Sequence, residues 1–561
     1  MTILLFIVFS LSLYIFNRGV LVFFKSIFNK TWSIDKLEFY GIPLFIFYPI
    51  FSLFIIGNLS VLANFFVPIK ELNLIWIIFL IFFALINLKE NFLIENRFLF
   101  LFTLIIVPAI LSISSYGLKF HFDSVDYHLN FQYWIRENKI IFGLSNLYIA
   151  YGWSTIYEYI LSNFWFGNNF LALHFINITF FTFFYNFIFY NLTFNKDLLL
   201  KLISINIVIY SFLDNFGVKG GANGFVNIQM VGKPDEAAGI LFFVSFLLLI
   251  RDYLKSQFSI KNFLLVSTLS LFAFQIKIVS SYLVIPIIFY LFKLKIKNFS
   301  KIQLSYFLYL LSNLVFFVIK NIAISGCLIF PIHQTCINSL KWTDSKTVKY
   351  FSKGVREGNN LAVNFSENIF EWFNIWINHA YNYQIYSNLI ISILIIWIIN
   401  KLLLKNVNKN FSQNEIVAYL FILFLVIAFF LTGPTLRYGF GLFLILISSL
   451  TIKEKVPKNI KQFNFLTYTT FILLVFSIIL TPRLYSYKLF INNGLEIASI
   501  ENNIEEYLNT GSLVNSKERK VEGSTCFIPK TCIKNDRFEF LKYADIKGYR
   551  FYTFENSALS K

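Results

Sequence analysis

Apolar stretches of about 20 residues recur along nearly the whole chain, and this repetition limits the possible folds more than any other feature. A helix of that length spans the hydrocarbon core of a bilayer. Hydrophobic residues make up 57% of the chain and charged residues only 14%, with a mean hydropathy of +0.66. This balance excludes a soluble globular domain, a disordered chain and a collagen-like chain. The sequence therefore predicts an all-α polytopic membrane protein.

Fourteen segments are predicted to form transmembrane helices. The first has neither a basic start nor a small-residue cleavage site, so it is predicted to be retained rather than removed as a secretory signal. The predicted segments are 2–16, 39–66, 72–88, 98–115, 170–193, 200–213, 237–250, 262–276, 278–292, 302–324, 385–404, 416–432, 440–452 and 463–481.

Lys and Arg are concentrated in every second connection between these segments. Short connections that carry them stay on the cytoplasmic side of a membrane, which predicts that both termini lie on the outer side. The net charge of +18 is spread over these connections, so its predicted partner is the inner membrane surface and not nucleic acid. The basic groups are Arg18, Lys25, Lys30 and Lys36; Arg251, Lys255 and Lys261; Lys293, Lys295, Lys297 and Lys301; Lys401, Lys405 and Lys409; and Lys453, Lys455, Lys458 and Lys461.

Four segments are predicted to lie outside: 116–169, 214–236, 325–384 and the tail from 482. The cytoplasmic connections are too short for a catalytic domain, so any chemistry is expected at the outer face. No nucleotide pool exists there, and a sugar or phosphate donor would therefore arrive bound to a lipid. The sequence has no Gly-rich phosphate loop, and it has no obvious internal repeat of the kind that marks many secondary transporters.

The first outer loop begins with two carboxylates and a histidine at the membrane boundary, Asp123, Asp126 and His128. On a helix the two carboxylates would lie on the same face. The low-dielectric membrane beside them raises the pKa of a carboxylate, which makes it a better base. A helix cap with interfacial polar residues explains the same spacing. Aromatic residues follow, and they suit either the headgroup plane or stacking on sugar rings. They are Tyr127, Tyr133, Trp134, Tyr148, Tyr151, Trp153, Tyr157 and Tyr159.

A second acidic pair, Asp235 and Glu236, opens the seventh predicted span directly after a proline. Helix capping accounts for both acids, yet carboxylates entering a span are costly without a partner. Lys277 lies between two helix ends on the outer side, so it could pair with these acids or bind a phosphate. Alternatively, its side chain simply extends to the membrane interface.

Arg437 and Tyr438 occupy a very short outer turn before the thirteenth predicted span. The planar fork of an arginine pairs bidentately with phosphate oxygens, which suits a lipid phosphate. A simple interfacial anchor explains the same position.

In their order along the chain, these motifs resemble the GT-C superfamily of integral membrane glycosyltransferases. The matching features are Asp-x-x-x-Tyr-His at Asp123, the acidic motif at Asp235, Lys277 before Tyr and Pro, Arg437-Tyr438, and Lys320-Asn321-x-x-x-x-Gly326-x-x-x-Phe330-Pro331. The resemblance covers about residues 98–450, and the superfamily includes protein O-mannosyltransferases and the aminoarabinose transferase that acts on lipid A.

The resemblance implies that a first-loop Asp is the catalytic base and that a polyprenyl-phosphate sugar is the donor. Asp126 is preferred over Asp123 because Tyr127-His128 follows it directly. The implied substrate-binding residues are His128, Asp235, Glu236, Lys277, Arg437 and Tyr438. In this chain four predicted spans precede the Asp loop, which in GT-C enzymes usually follows the first helix. Residues 1–97 are therefore an N-terminal transmembrane extension to the 98–481 core, and the acceptor could differ from the familiar ones.

The four cysteines form two local pairs in the outer segments, Cys327 with Cys336 and Cys526 with Cys532, as expected for disulfides in an oxidising compartment. His333 lies inside the first pair but no histidine accompanies the second, so zinc fits poorly and neither metal nor cofactor is predicted. Residues 482–561 are predicted to form a small soluble α+β tail, in which five residues indicate a strand near the end: Tyr549, Arg550, Phe551, Tyr552 and Phe554.

Together these features predict a glycosyltransferase at the outer face of the inner membrane, moving sugar from a polyprenyl-phosphate donor to a glycan, lipid or protein acceptor. The alternative is a lipid-linked polysaccharide exporter or polymerase, which would share the spans and the basic connections. A channel or transporter would place charges within several spans, whereas the ionisable residues here lie mostly at helix ends.

Overall fold

The protein folds into a bundle of α-helices with short two-stranded sheets in its connections, as seen in a computed structural model. The structure describes residues 1–27, 37–88, 96–120, 123–165, 170–216, 225, 228, 230–231, 233–294, 300–356, 368–406, 410–432, 435–453, 455–498 and 541–554. The helices, in chain order, are α1 (Thr2–Ile27), α2 (Tyr48–Asn64), α3 (Leu72–Asn87), α4 (Arg97–Leu101), α5 (Val107–Ser112), α6 (Leu129–Glu137), α7 (Ile156–Ser162), α8 (Leu171–Thr193), α9 (Leu198–Phe216), α10 (Asp235–Lys255), α11 (Ile260–Ile276), α12 (Val284–Lys293), α13 (Lys301–Ser325), α14 (Ser345–Arg356), α15 (Ile369–Asn378), α16 (Ala380–Leu403), α17 (Gln413–Thr432), α18 (Phe440–Ser449), α19 (Ile460–Leu480) and α20 (Arg483–Asn493).

Within the described residues, eleven helices are long and apolar enough to cross a membrane. The remaining three predicted segments are shorter apolar helices: Ile260–Ile276, Ile278–Lys293 and Phe440–Ser449. The ten residues of α18 extend only about 15 Å, roughly half the thickness of a hydrocarbon core. The prediction of an all-α chain rich in membrane-length helices is confirmed, with three of its segments shorter than an ordinary span.

Two of the short sheets join connections that are far apart in sequence, and the other two are local pairs of strands. β1 (Glu38–Phe39) pairs antiparallel with β2 (Ile42–Pro43), and β3 (Lys119–Phe120) pairs parallel with β4 (Met230–Val231). β5 (Leu404–Asn406) and β6 (Lys455–Pro457) join two basic connections. β7 (Leu541–Ile546) and β8 (Tyr549–Phe554) form a hairpin, so a strand is present near the end of the tail, as the sequence predicts.

Two helices form the centre of the bundle, and their sequences explain why. α8 and α10 bury 94% and 89% of their apolar windows, whereas only 11% of the window that contains α3 is buried. A helix that is apolar on every side is stable only when surrounded by protein or lipid. α10 also approaches α18 at two glycines, because a Cβ atom on Gly441 would lie 2.6 Å from the carbonyl oxygen of Gly239. The close crossing brings the starts of α10 and α18 together.

The predicted cytoplasmic connections gather at one end of the bundle. There Asp252 accepts hydrogen bonds from Tyr40 (2.8 Å) and Arg251 (2.9 Å), and Asp197 pairs with Arg251 (2.9 Å) and Lys255 (2.7 Å). Burial alone would raise the pKa of the Asp197 carboxyl, but the two cations hold it below its ordinary value. Arg251 and Lys255 at the end of α10 are thus joined in one network with Asp197, which follows α8, and Tyr40, which precedes α2.

The opposite end of the bundle holds the predicted outer segments and the first residue of the chain. The amino group of Met1 donates to the carbonyl of Gly494 (3.0 Å), and the hydroxyl of Tyr116 donates to the carbonyl of Glu496 (3.1 Å). The helices between these points therefore return the chain to the face from which it starts.

The hairpin β7–β8 packs on the first outer loop. Phe142 donates to the carbonyl of Arg550 and accepts from the amide of Tyr552, both at 2.9 Å, and its ring stacks on Phe551 with centroids 4.6 Å apart. Asn146 donates to the carbonyl of Tyr552 (3.0 Å). Backbone pairing of this kind depends on shape rather than on a sequence motif, so the local pattern contains no signal for it.

Candidate functional site

A pocket opens at the outer end of the bundle, where the first outer loop meets the ends of α10, α11, α13 and α18. Its empty space, together with the open solvent at its mouth, amounts to about 720 Å³. Its lining combines polar and charged side chains with aromatic rings. The lining residues include Asp123, Tyr127, His128, Trp153, Thr155, Lys233, Asp235, Gln275, Lys277, Asn321, Phe330 and Tyr438.

Two of the first-loop residues predicted from the sequence, Asp123 and His128, line the pocket. Asp123 precedes a π-helical turn, Ser124–His128, that continues into α6 and places His128 beside the pocket. Such turns are rare and occur often at functional sites. The backbone of Asp126 lies within this turn, but its side chain is outside the described part of the structure.

A buried carboxylate that the sequence analysis missed holds His128 in place. Glu158, on α7, accepts a hydrogen bond from Nδ1 of His128 and another from Nε2 of Gln132 (2.6 Å). Trp165 in turn donates to Gln132 (2.7 Å). The chain spans 30 residues from His128 to Glu158, and a lone Glu among the tyrosines of the loop offered no sequence signal for this pairing.

Tyr157, next to Glu158, is fully buried. Burial raises the pKa of its hydroxyl well above the ordinary value, and the charges of Glu158 and Glu236 raise it further. Glu236 is itself buried and is not among the residues that line the pocket. Tyr157 therefore stays neutral.

Replacing Glu158 with Ala is expected to lower the free energy of unfolding by about 2–4 kcal/mol, because two buried donors would lose their acceptor. Glu137→Ala is a matched control, since Glu137 pairs with Lys70 where the two side chains are 33% and 45% exposed. An exposed pair contributes at most about 1 kcal/mol. Denaturant titration of both variants measures the difference, and equal losses would contradict the structural role of Glu158.

The second acidic motif and the lysine of the next hairpin form an ion pair in the pocket. Nζ of Lys277 contacts Oδ1 of Asp235, and it also lies 3.3 Å from the ring centroid of Tyr438. The three residues come from the end of α11, the start of α10 and the turn before α18. The side chain of Arg437 is outside the described part of the structure.

Lys320, part of the Lys320-Asn321 motif, binds the loop that carries Trp153 of the pocket lining. It is fully buried in α13 and donates to the carbonyl and the hydroxyl of Ser154, the latter at 2.9 Å. Ser154 has a φ of +27°, a conformation that side chains rarely adopt. Asn321 lines the pocket and donates to the carbonyl of Leu328 (3.1 Å). The Lys320-Asn321 pair thus connects the end of α13 to two loops of the pocket rim.

Cys327 and Cys336 form a disulfide directly after α13. Cys327 packs with Phe330 and with Val348 of α14, so the bridged loop carries an aromatic ring of the pocket lining. The second predicted pair, Cys526 and Cys532, lies outside the described residues.

Replacing both Cys327 and Cys336 with Ser is expected to destabilise the outer face by roughly 2–3 kcal/mol, the chain-entropy value for a ring of this size. Mass spectrometry of the unreduced wild-type protein should recover the two cysteines in one linked peptide. Free thiols at both positions in freshly isolated membranes would contradict the pairing.

This arrangement combines groups suited to binding a sugar phosphate. Asp123 supplies a carboxylate, Lys277 an ammonium group, and Trp153 and Phe330 flat apolar surfaces for a sugar ring. Thr155 lines the pocket, and its buried Oγ1 has no hydrogen-bond partner among the described residues. Across that same part of the chain, no group of three or more His, Cys, Asp and Glu residues is placed to hold a metal ion.

Comparison with curated proteins and with solved structures finds no match. The model of one family, described as a domain of unknown function (DUF8201), matches residues 1–444. The matched region starts before α1 and ends just after Tyr438, so it contains every residue that lines the pocket and excludes the C-terminal hairpin. Since the match covers well over half of the 561 residues, the chain belongs to the DUF8201 family.

Proposed function

We propose that the protein is a GT-C-like membrane glycosyltransferase that moves a sugar from a polyprenyl-phosphate donor to an acceptor hydroxyl. The observation that carries this proposal is the meeting of Asp123, Asp235, Lys277 and Tyr438 in one pocket. These residues come from four segments separated by more than 100 residues in places, and the resemblance to GT-C enzymes selects them from sequence order alone. A random set of interfacial charges has no reason to converge on one pocket.

In the proposed reaction, a first-loop carboxylate removes the proton from the acceptor hydroxyl. The acceptor oxygen then forms a bond to the anomeric carbon, and the bond between that carbon and the phosphate oxygen breaks. The electron pair leaves with the phosphate, so the products are the glycosylated acceptor and polyprenyl phosphate. Asp123 is the carboxylate whose position in the pocket supports this role.

Lys277 is proposed to bind the donor phosphate. An ammonium group has three N–H donors, so it can contact Asp235 and a phosphate oxygen at the same time. The ring of Tyr438 limits the positions that the ammonium group can adopt. Charge stabilisation of the leaving phosphate, together with positioning of the two substrates, would supply most of the rate enhancement.

The proposed location is the outer face of the inner membrane, with fourteen crossings. Lys and Arg stay on the cytoplasmic side, which assigns the basic network at Asp197 and Asp252 to the cytoplasm and the pocket to the outside. Because Met1 and Gly494 meet at one face, the number of crossings between them is even. An even number agrees with the fourteen proposed crossings, eleven by the long apolar helices and three by the shorter ones.

Cysteine labelling is expected to report this orientation. A cysteine at the exposed position Lys349, near the pocket, should react with a membrane-impermeant thiol reagent in intact cells. A cysteine at the exposed position Lys405, at the other end of the bundle, should react only after permeabilisation. Both variants are made with Cys526 and Cys532 replaced by Ser. The reverse labelling pattern would contradict the proposed location of the pocket.

The proposed activity is tested by incubating the purified protein in lipid nanodiscs with a panel of radiolabelled polyprenyl-phosphate sugars and a membrane-glycan acceptor fraction. We expect label to move from the donor to the acceptor for at least one sugar. Movement of intact lipid-linked glycan across the bilayer without transfer would instead support the exporter, and lengthening of a glycan that is already lipid-linked would support the polymerase.

A further inference from the structure

A basic face runs along α14, on the same end of the bundle as the pocket. Three lysines and one tyrosine on this helix are exposed, and they are spaced at i, i+3, i+4 and i+7: Lys346, Lys349, Tyr350 and Lys353. Residues with this spacing share one side of a helix. We refer to these four residues as the basic face. Tyr350 is 82% exposed, an unusual value for so large a ring.

The opposite side of α14 holds the helix against the pocket rim. Val348 is buried, and Phe351 lies 5.7 Å, between ring centroids, from both Trp153 and Phe330, which line the pocket. Asp344 caps the helix by accepting from the amide (3.1 Å) and the hydroxyl (2.5 Å) of Thr347. The basic face is therefore held at a fixed position one side chain away from the pocket.

The segment that contains α14 carries an excess of positive charge. Residues 341–356 contain five basic residues and one acidic residue, Asp344, which is buried as the helix cap. Three lysines held in one row about 10 Å long form a concentrated positive surface, which indicates an anionic partner.

A membrane surface fits α14 less well than a glycan does. Helices that lie in a membrane interface turn their apolar side toward the lipid. In α14 the apolar side, with Val348 and Phe351, faces the protein instead. The outward side offers positive charge and one flat aromatic ring, and this combination matches a polymer of charged sugars.

We propose that the basic face of α14 binds an acidic glycan, with Lys346, Lys349 and Lys353 pairing with its anionic groups and Tyr350 stacking on a sugar ring. This inference deepens the proposed function and rests on it for one point, that the bound glycan is the acceptor. The contacts of Phe351 with Trp153 and Phe330 place such a chain next to the pocket, where one of its hydroxyl groups would meet the first-loop carboxylate.

The experiment measures binding without any donor, so its outcome is independent of transfer activity. Full-length protein in nanodiscs of zwitterionic lipid is titrated against fluorescent oligogalacturonate, an acidic glycan, and a maltooligosaccharide of equal length, a neutral one, with anisotropy as the readout. The test variant combines Lys346→Gln, Lys349→Gln and Lys353→Gln. The matched control combines Lys301→Gln, Lys405→Gln and Lys461→Gln, three exposed lysines at the other end of the bundle.

We expect the test variant to raise the Kd for oligogalacturonate by about tenfold or more at low salt, and the control variant to leave it unchanged. Tyr350→Ala should weaken binding severalfold with little change in salt dependence. Equal affinity of the wild type and the test variant would overturn the proposal, as would equal loss in the control variant. If the test variant melts early, Lys349→Gln alone is used, with an expected loss of a few fold.

The alternative that the basic face binds anionic membrane lipid predicts a different result. If the wild type retains anionic phospholipid through purification, the test variant loses it, and neither binds oligogalacturonate, then the basic face is a lipid contact and the glycan proposal is wrong. If glycan binding depends on the basic face but no sugar transfer is found, the binding proposal stands and the proposed enzymatic function fails.

Discussion

Replacing Asp123 with Asn is expected to lower the rate of sugar transfer by about two to four orders of magnitude and to leave the fold intact. The amide keeps the size of the carboxylate but cannot accept the proton of the acceptor hydroxyl. The side chain of Asp123 makes no helix-capping hydrogen bond, so the substitution removes no helix cap. Initial rates of transfer, compared at equal protein levels in membranes, measure the effect.

Asp126→Asn is the matched control, because the resemblance to GT-C enzymes favours Asp126 as the base. If Asp123 is the base, the Asp126 variant should lose much less activity. If Asp126→Asn alone abolishes transfer, the two roles must be exchanged. A wild-type rate in both variants would remove the first-loop carboxylates from the mechanism.

Replacing Lys277 with Met is expected to abolish donor binding and to destabilise the outer end of the bundle by about 3–5 kcal/mol. The loss of stability arises because Asp235, whose side chain is 5% exposed, would keep its charge in a buried position without the ammonium group. Thermal unfolding in nanodiscs measures the stability, and retention of a radiolabelled donor on a filter measures the binding.

The double variant Asp235→Asn, Lys277→Met separates the two effects of this substitution. Removing both charges should restore most of the stability, because no buried carboxylate is then left without its ammonium partner. Donor binding should remain lost, since the phosphate still lacks its cation. Recovery of donor binding together with stability would show that Lys277 serves only to neutralise Asp235.

The sequence contains most of the information about the helices of this fold. Membrane-length apolar runs are long, repeated and bounded by charge, and all fourteen of the predicted segments correspond to apolar helices. The docking of the C-terminal hairpin on Phe142 could not be foreseen. It depends on two backbone hydrogen bonds and one aromatic stack between residues about 400 positions apart, and none of these leaves a periodic signal.

Some residues of the candidate site can be predicted from the sequence, and others are recognised only in the folded structure. Asp123, Asp235 and Lys277 stand out in the sequence because ionisable groups at the ends of apolar helices are costly and therefore informative. Glu158 and Lys320 did not stand out, because their importance lies in the partners that the fold brings to them. Lys320 donates to Ser154, 166 residues earlier in the chain. One sequence contains no record of such a pairing.

The release of polyprenyl phosphate tests the central claim most directly, because bond cleavage at the donor phosphate separates a glycosyltransferase from an exporter. Purified protein in nanodiscs is incubated with a polyprenyl-phosphate sugar and the acceptor fraction, and the donor, the free polyprenyl phosphate and the glycosylated acceptor are each quantified. We predict that polyprenyl phosphate and glycosylated acceptor appear in equal amounts with the wild type, and that both fall together in Asp123→Asn. A wild-type protein that binds these donors but leaves every one of them uncleaved in the presence of acceptor would contradict the account.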